Sequence, residues 1–309
     1  MSAPARSWLP AYLVLALIWG GSFYFIKLGL LALSPAGVAL SRLALGLATM
    51  LIITWVTRTA FPPRWSWGPL FVAALLMTSV PWLLFAYGEQ HVSSALAGII
   101  NGATPLMTLV AILLAFPEER PTRQRVFGLA VGFAGVLVVM GVWQGLGAGT
   151  WLGIAACTLA IGCYGISFPF VRRHLASGES SRSIAPIALA TGLMAMGTLQ
   201  AAPMAAVGGF AYGPIGVPTV LGMLALGCLG SGIAYVLNFR VIARADATTA
   251  STVTYLTPLV AVIAGAMLLG EHLAWNQPPG AVLIVAGAAI AQGLLPPRPA
   301  GIRRLPADG

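Results

Sequence analysis

The chain has 309 residues, 59% hydrophobic and only 7% charged, with a formal net charge of +9 and a mean hydropathy of +0.92. A soluble domain carries about 25% charged residues, so this chain cannot cover a water-facing surface and its main solvent is lipid. The basic excess lies in short loops and is not interleaved with aromatic residues, which excludes a nucleic-acid surface and leaves a topological role.

The apolar runs are continuous, about 20 residues long and free of period-2 alternation, which excludes a β-barrel and predicts an all-α membrane protein. In chain order the spans are predicted at 9–31, 36–56, 68–88, 93–115, 126–143, 151–172, 184–206, 219–241, 247–270 and 278–295. The first is too long, and lacks the small-residue cleavage site, for a signal peptide, so it reads as an uncleaved helix. The Pro- and Arg-rich tail, 296–309, is expected to be disordered.

Basic residues occupy alternate connections. Arg6 precedes the first span; Arg58 and Arg64 follow the second; Arg120, Arg123 and Arg125 the fourth; Arg172, Arg173 and Arg182 the sixth; Arg240 and Arg244 the eighth; and Arg298, Arg303 and Arg304 the tenth. The intervening loops have no Lys or Arg beyond Lys27, at the end of the first span. By the positive-inside rule both termini are cytoplasmic, which requires an even number of spans, and ten fits.

The two halves resemble each other. Trp19-Gly20-Gly21-Ser22-Phe23 aligns with Tyr164-Gly165-Ile166-Ser167-Phe168, 145 residues on, and the same offset sets Lys27 against Arg172. Thr104-Pro105-Leu106 aligns with Thr257-Pro258-Leu259 at an offset of 153, which also sets Trp82 on Tyr235 and Glu118 on Glu271. The second and seventh spans show no match. Units of five spans, 9–143 and 151–295, would enter the membrane from opposite sides, placing Glu118 inside and Glu271 outside. Inverted repeats of this kind are a construction of secondary transporters.

Along the fourth span Ala97, Asn101, Thr104 and Thr108 form a small, polar face, repeated in the ninth as Ala250, Thr254, Thr257 and Ala261. Pro105 and Pro258 each free a carbonyl one turn earlier. Such a face lines a cavity or lets helices pack closely. The third span sets Thr78, Trp82 and Phe85 on one face, and the eighth Ser231, Tyr235 and Asn238. With Trp19 and Tyr164 these supply aromatic groups from both halves, as cavity walls or as interfacial anchors. Trp8, Trp65, Trp67, Trp151 and Trp275 read as anchors. Arg42 is an intramembrane charge that must face a cavity or a partner. It either attracts a substrate carboxylate or fixes the second helix, with Glu89 at the outer end of the third span and helix-end carbonyls as candidate partners.

These residues bring out a family resemblance over about 8–295. The Trp-Gly-x-x-Phe segment at 19–23, Arg42, the two Thr-Pro pairs, and Glu118 and Glu271 before a Gly-rich last helix resemble the EamA-type branch of the drug/metabolite transporters, and within it the bacterial aromatic amino-acid exporters. The resemblance implies ten helices in a basket around a central cavity, and efflux of amino acids or related small metabolites across the bacterial inner membrane. One departure is Phe116-Pro117-Glu118-Glu119, where a Gly or apolar residue before a single Glu is expected, which leaves open which Glu is equivalent.

The expected site is thus a central cavity lined by the first, third, fourth, sixth, eighth and ninth helices. Candidate substrate contacts are Trp19, Ser22, Thr78, Trp82, Asn101, Thr104, Tyr164, Ser231, Tyr235, Asn238, Thr254 and Thr257, with Arg42, Glu89, Pro105 and Pro258 as structural or gating residues. The expected partners are a small-molecule substrate and the lipid bilayer. No cofactor is expected, and Cys157, Cys163 and Cys228 form no metal-ligand pattern and read as inert thiols. An intramembrane enzyme would need a nucleophile with a base, a metal cluster or paired carboxylates at one depth, and a receptor would ordinarily carry an extramembrane domain. A channel-like facilitator is separable from a carrier only by transport kinetics. No Asp or Glu stands near a span centre, so nothing here supports proton coupling through a buried carboxylate.

Overall fold

The computed structural model describes residues 8–115, 122–141, 143, 148–176, 184–244 and 253–291. Glu118, Glu119, Ala250 and the tail from Pro296 lie outside them. Among the described residues, helices α1 (Leu9–Leu30), α2 (Pro35–Val56), α3 (Arg64–Gly88), α4 (Ser94–Leu114), α6 (Gly149–Leu175), α7 (Pro186–Gly208) and α8 (Val217–Val241) are the seven long and apolar enough to cross a membrane. Helices α5 (Arg123–Met140), α9 (Val253–Leu269) and α10 (Gln277–Ala291) are shorter and also apolar. The described residues form no strand beyond an isolated bridge between Leu33 and Ala211.

Local sequence sets the helix ends. The Ser34 hydroxyl accepts the Gly37 N–H at 2.9 Å, with Pro35 at the first helical position of α2. Ser93 caps α4 through the Leu96 N–H at 3.1 Å, and Thr122 caps α5 through the Arg125 N–H at 3.2 Å. Gly141 closes α5 at φ 59°, a left-handed conformation suited to glycine.

The helices run alternately up and down. At one end the Thr219 hydroxyl donates to Leu28 O at 3.0 Å, the Ser34 N–H to Phe210 O at 3.1 Å, and the Asn276 amide to Val138 O at 2.8 Å. At the other, the Gln124 amide donates to Ile290 O at 3.1 Å. Following the helices from these anchors puts Arg58, Arg64, Arg123, Arg125, Arg173, Arg240 and Arg244 at the second end, and Lys27, Glu89 and Glu271 at the first.

Packing pairs recur five helices along. Helix α1 packs on α9 as α6 does on α4; α2 on α8 as α7 on α3; α3 on α6 as α8 on α1; and α2–α7, α4–α9 and α5–α10 pair with each other. The main core gathers Phe23, Phe85, Ile99, Ile161, Leu226 and Ala261 from α1, α3, α4, α6, α8 and α9.

Helices α5 and α10 meet backbone to backbone. A Cβ on Gly287 would lie 2.3 Å from the Gly132 nitrogen, and one on Gly135 2.7 Å from the Ile284 nitrogen. Gly287→Ala is therefore expected to cost about 1–3 kcal/mol, the range for overpacking a close-packed interior. Gly68→Ala, whose Cβ meets nothing within 4 Å, is expected to cost nothing. Thermal unfolding in detergent compares the two, and equal midpoints would mean that the α5–α10 seam has slack.

Candidate functional site

A cavity of about 200 Å³ lies between the six helices of the main core. Its lining includes Trp19, Ser22, Trp82, Asn101, Thr104, Tyr164, Tyr235, Asn238, Thr254 and Thr257, which the sequence singles out, together with Arg42. Phe23, Ile26, Met77, Phe85, Phe168 and Gly230 also line it. Of these only Phe85 lies on a face singled out from the sequence. The signal for most of the others is the helical period: Phe23 and Ile26 continue the stripe of Trp19 and Ser22, and Phe168 follows Tyr164 by four residues.

Thr78 and Ser231 do not line the cavity, and the cause is common to both. Helix α3 passes through a π-turn at Leu75–Ser79, and α8 through a longer π stretch at Ala225–Ile233. Each widened turn inserts extra residues and rotates what precedes it. The positions one residue earlier, Met77 and Gly230, line the cavity instead. Thr78 is buried and donates to Ala74 O at 2.8 Å. Hydroxyls close the widened turns, Ser79 donating to Ala74 O at 3.1 Å and Ser231 to Leu226 O at 3.3 Å.

The two Thr-Pro pairs satisfy themselves. Pro105 removes the N–H that would bond Asn101 O, and the Thr104 hydroxyl takes that carbonyl at 2.7 Å. Pro258 does the same to Thr254 O, which accepts from Thr257 at 2.9 Å. The freed carbonyls are thus already bonded. The same faces make the α4–α9 contact: a Cβ on Gly102 would meet Pro258 at 2.6 Å, and one on Gly98 would meet Ala261 at 2.3 Å. Cavity lining and close packing coexist on one stripe.

Arg42 reaches in from α2. Its guanidinium carbon stands 3.7 Å from the centroid of the Trp82 ring, and its Nε donates to Ser231 Oγ at 3.0 Å. The ring face stabilises the cation without neutralising it. Aromatic edges complete the wall: Trp19 on Tyr235 at 6.5 Å between centroids, Phe23 on Phe85 at 5.6 Å, and Phe85 on Tyr164 at 6.2 Å. Among the described residues no Asp or Glu lines the cavity, and none forms an ion pair with Arg42. The suggested Arg42–Glu89 pair is therefore absent.

Glu89 corrects a second expectation. It stands at the end of α3, away from the span centres where a buried carboxylate was sought, but the residue is 0% exposed and neither carboxyl oxygen has a hydrogen-bond partner among the described residues. A helix end is wet only if nothing covers it. Here α1 does, with Lys27 Nζ donating to Glu89 O at 2.5 Å and to Val92 O at 2.8 Å. Glu271 behaves oppositely. Its carboxylate accepts from the Ser94 N–H at 2.8 Å, the Ser94 hydroxyl at 2.9 Å and the Ala95 N–H at 3.0 Å, capping α4.

Comparison with known proteins adds the family. The model of the EamA-like transporter family matches the chain twice, over residues 6–141 and 151–292. The chain belongs to this family. It is 27% identical over 278 residues to an uncharacterised transporter of Archaeoglobus fulgidus, covering 88% of this chain and 92% of that one. It is 27% identical over 288 residues to a probable terminal-alkyne amino-acid exporter of Streptantibioticus cattleyicolor, covering 92% and 91%. It is 27% identical over 305 residues to the uncharacterised inner membrane transporter YedA of Escherichia coli K12, covering 94% and 92%. A solved crystal structure shares its fold at a TM-score of 0.63 and 17% identity, over 95% of this chain and 100% of that one. This EamA-like protein is a multi-pass membrane transporter.

Proposed function

We propose that this EamA-like transporter exports amino acids, aromatic ones in particular, across a bacterial inner membrane by alternating access, with both termini in the cytoplasm. The observation that carries the reading is Arg42, a cation held over Trp82 in an aromatic cavity with no acidic neighbour on its wall among the described residues. A guanidinium meets a carboxylate through two parallel hydrogen bonds. Trp19, Tyr164 and Tyr235 offer flat apolar faces to a side chain, and the amide oxygens of Asn101 and Asn238 suit a substrate ammonium. At about 200 Å³ the cavity is below the roughly 300–1,000 Å³ of pockets for drug-sized ligands, in keeping with a small metabolite. The relative named an amino-acid exporter supports the substrate class.

On this reading the chain has ten spans, α5, α9 and α10 crossing with the rest, in two inverted five-helix units at 9–143 and 151–295. Three observations support it. The family model matches twice, every main packing pair has a counterpart five helices along, and α5 and α10 bond to each other near both ends of the bundle. The Arg-bearing end faces the cytoplasm. The cavity sits between the units, where rocking of one against the other would expose it to each side in turn.

Uptake into proteoliposomes tests the reading. Saturable uptake of tryptophan or phenylalanine, with no uptake of the matching amines that lack the carboxyl group, is the expected result. Equal uptake of acid and amine, or no uptake of any amino acid, would overturn it.

A further inference from the structure

Glu89 is a carboxyl group without a partner in the interior of the bundle. It is 0% exposed, and neither oxygen is hydrogen-bonded. The cation beside it is otherwise engaged, since Lys27 Nζ donates to two backbone carbonyls at the end of α3. The other charged groups facing it are Arg42 from α2, engaged with Trp82 and Ser231, and Glu271 beyond α9, engaged with α4. On α6 the buried thiol of Cys157 feels the Glu89 charge. A bare carboxylate in such a place would lose its hydration and gain no hydrogen bond, only the fields of Lys27 and Arg42, whereas the neutral acid loses far less. Glu271 shows the partners a carboxyl group can find at this end of the bundle, with three donors.

Glu89 also adjoins the cavity. Phe85, one turn earlier on α3, and Ile26, next to Lys27, both line it. The lid over Glu89 is made by α1, α6 and the turn at 89–92. A Cβ on Gly153 would meet Val92 at 2.7 Å, and one on Gly88 would meet the Cys157 sulfur at 2.6 Å. Opening the cavity toward this end, as the proposed alternating access requires, would separate these elements.

We propose that Glu89 is a proton-binding site that must be filled before this end of the bundle closes. When the end opens, water reaches the carboxyl and its proton can pass to or from that side. When the end closes, only the neutral acid is enclosed. Each closure therefore carries one proton, which gives this transporter a means of coupling to a proton gradient. The coupling rests on the function proposed above, but the proton site does not.

Infrared spectroscopy of the whole protein in lipid, without substrate and at neutral pH, tests the site. A protonated-carboxyl C=O band is expected in the wild type, lost in Glu89→Gln and shifted in Glu89→Asp. No such band, or one that both variants leave unchanged, would overturn the proposal. Thermal unfolding tests the closing condition. The midpoint of the wild type is expected to fall as the pH rises from mildly acid to mildly alkaline, and that of Glu89→Gln to stay flat; parallel curves would refute the condition. In proteoliposomes that transport, the uptake rate should approach about a tenfold fall per pH unit on the alkaline side, the limit for one required proton, and Glu89→Gln should abolish that dependence while keeping exchange. A pH dependence that survives in Glu89→Gln would refute the coupling. Absence of amino-acid uptake by the wild type would count against the proposed substrate, while the infrared band still decides the proton site.

Discussion

Replacing Arg42 by Gln is expected to weaken the apparent affinity for a carboxylate-bearing substrate about ten- to hundredfold. A hydrogen bond to a charged group contributes about 1.5–3 kcal/mol, and each 1.4 kcal/mol is about tenfold in affinity. The guanidinium faces the cavity, its charge is not cancelled by an ion pair among the described residues, and it is pinned by the Trp82 ring and Ser231 Oγ. Arg42→Lys should fall between, because it keeps the charge and loses the planar fork. Uptake at matched expression reads the effect, with thermal unfolding alongside to detect a loss of fold. If Arg42→Gln transported with unchanged apparent affinity, Arg42 would be a strut between α2 and α8 and nothing more.

The second large effect is expected at Trp82. The ring is 4% exposed, so Trp82→Ala should cost about 3–5 kcal/mol of stability, as for other buried Trp and Phe truncations. It should also weaken substrate binding a few-fold to tenfold, since an aromatic partner is worth about 0.5–1.5 kcal/mol beyond its area. Trp82→Phe keeps a ring under the guanidinium and should recover most of both. Trp275 is 70% exposed and packs beside Trp143 at 6.0 Å between centroids. Trp275→Ala should transport nearly as well as the wild type. Equal losses from Trp82→Ala and Trp275→Ala would mean that a structural aromatic has been taken for a substrate contact.

Much of the site was legible because period and composition are local properties. Trp19 and Ser22 were singled out on α1, the same helical period carries their face on to Phe23 and Ile26, which were not, and the matching halves point to the same helices twice. The exceptions fall where local rules stop applying. Thr78 and Ser231 follow from an ideal 3.6-residue turn, from which the π-turns at Leu75–Ser79 and Ala225–Ile233 depart. Glu89 was passed over as a buried carboxyl because it stands at the end of a span, and sequence gives depth along a helix, not what lies across its end. Only the fold shows α1 and Lys27 closing over it. The Thr-Pro pairs were legible as carbonyl-freeing positions, but that the preceding Thr bonds the freed carbonyl is a matter of rotamer. The predicted start of the ninth span at 247 and end of the tenth at 295 lie outside the described residues.

Counterflow tests the central claim, a carrier whose single cavity faces each side in turn, most directly. Proteoliposomes preloaded with unlabelled phenylalanine would be diluted into a trace of labelled phenylalanine, with no ion gradient. A carrier that reorients with its substrate should accumulate label transiently above the outside level, and preloading should accelerate entry. Entry that only equilibrates, at a rate indifferent to the preload, would contradict alternating access and identify a channel-like facilitator.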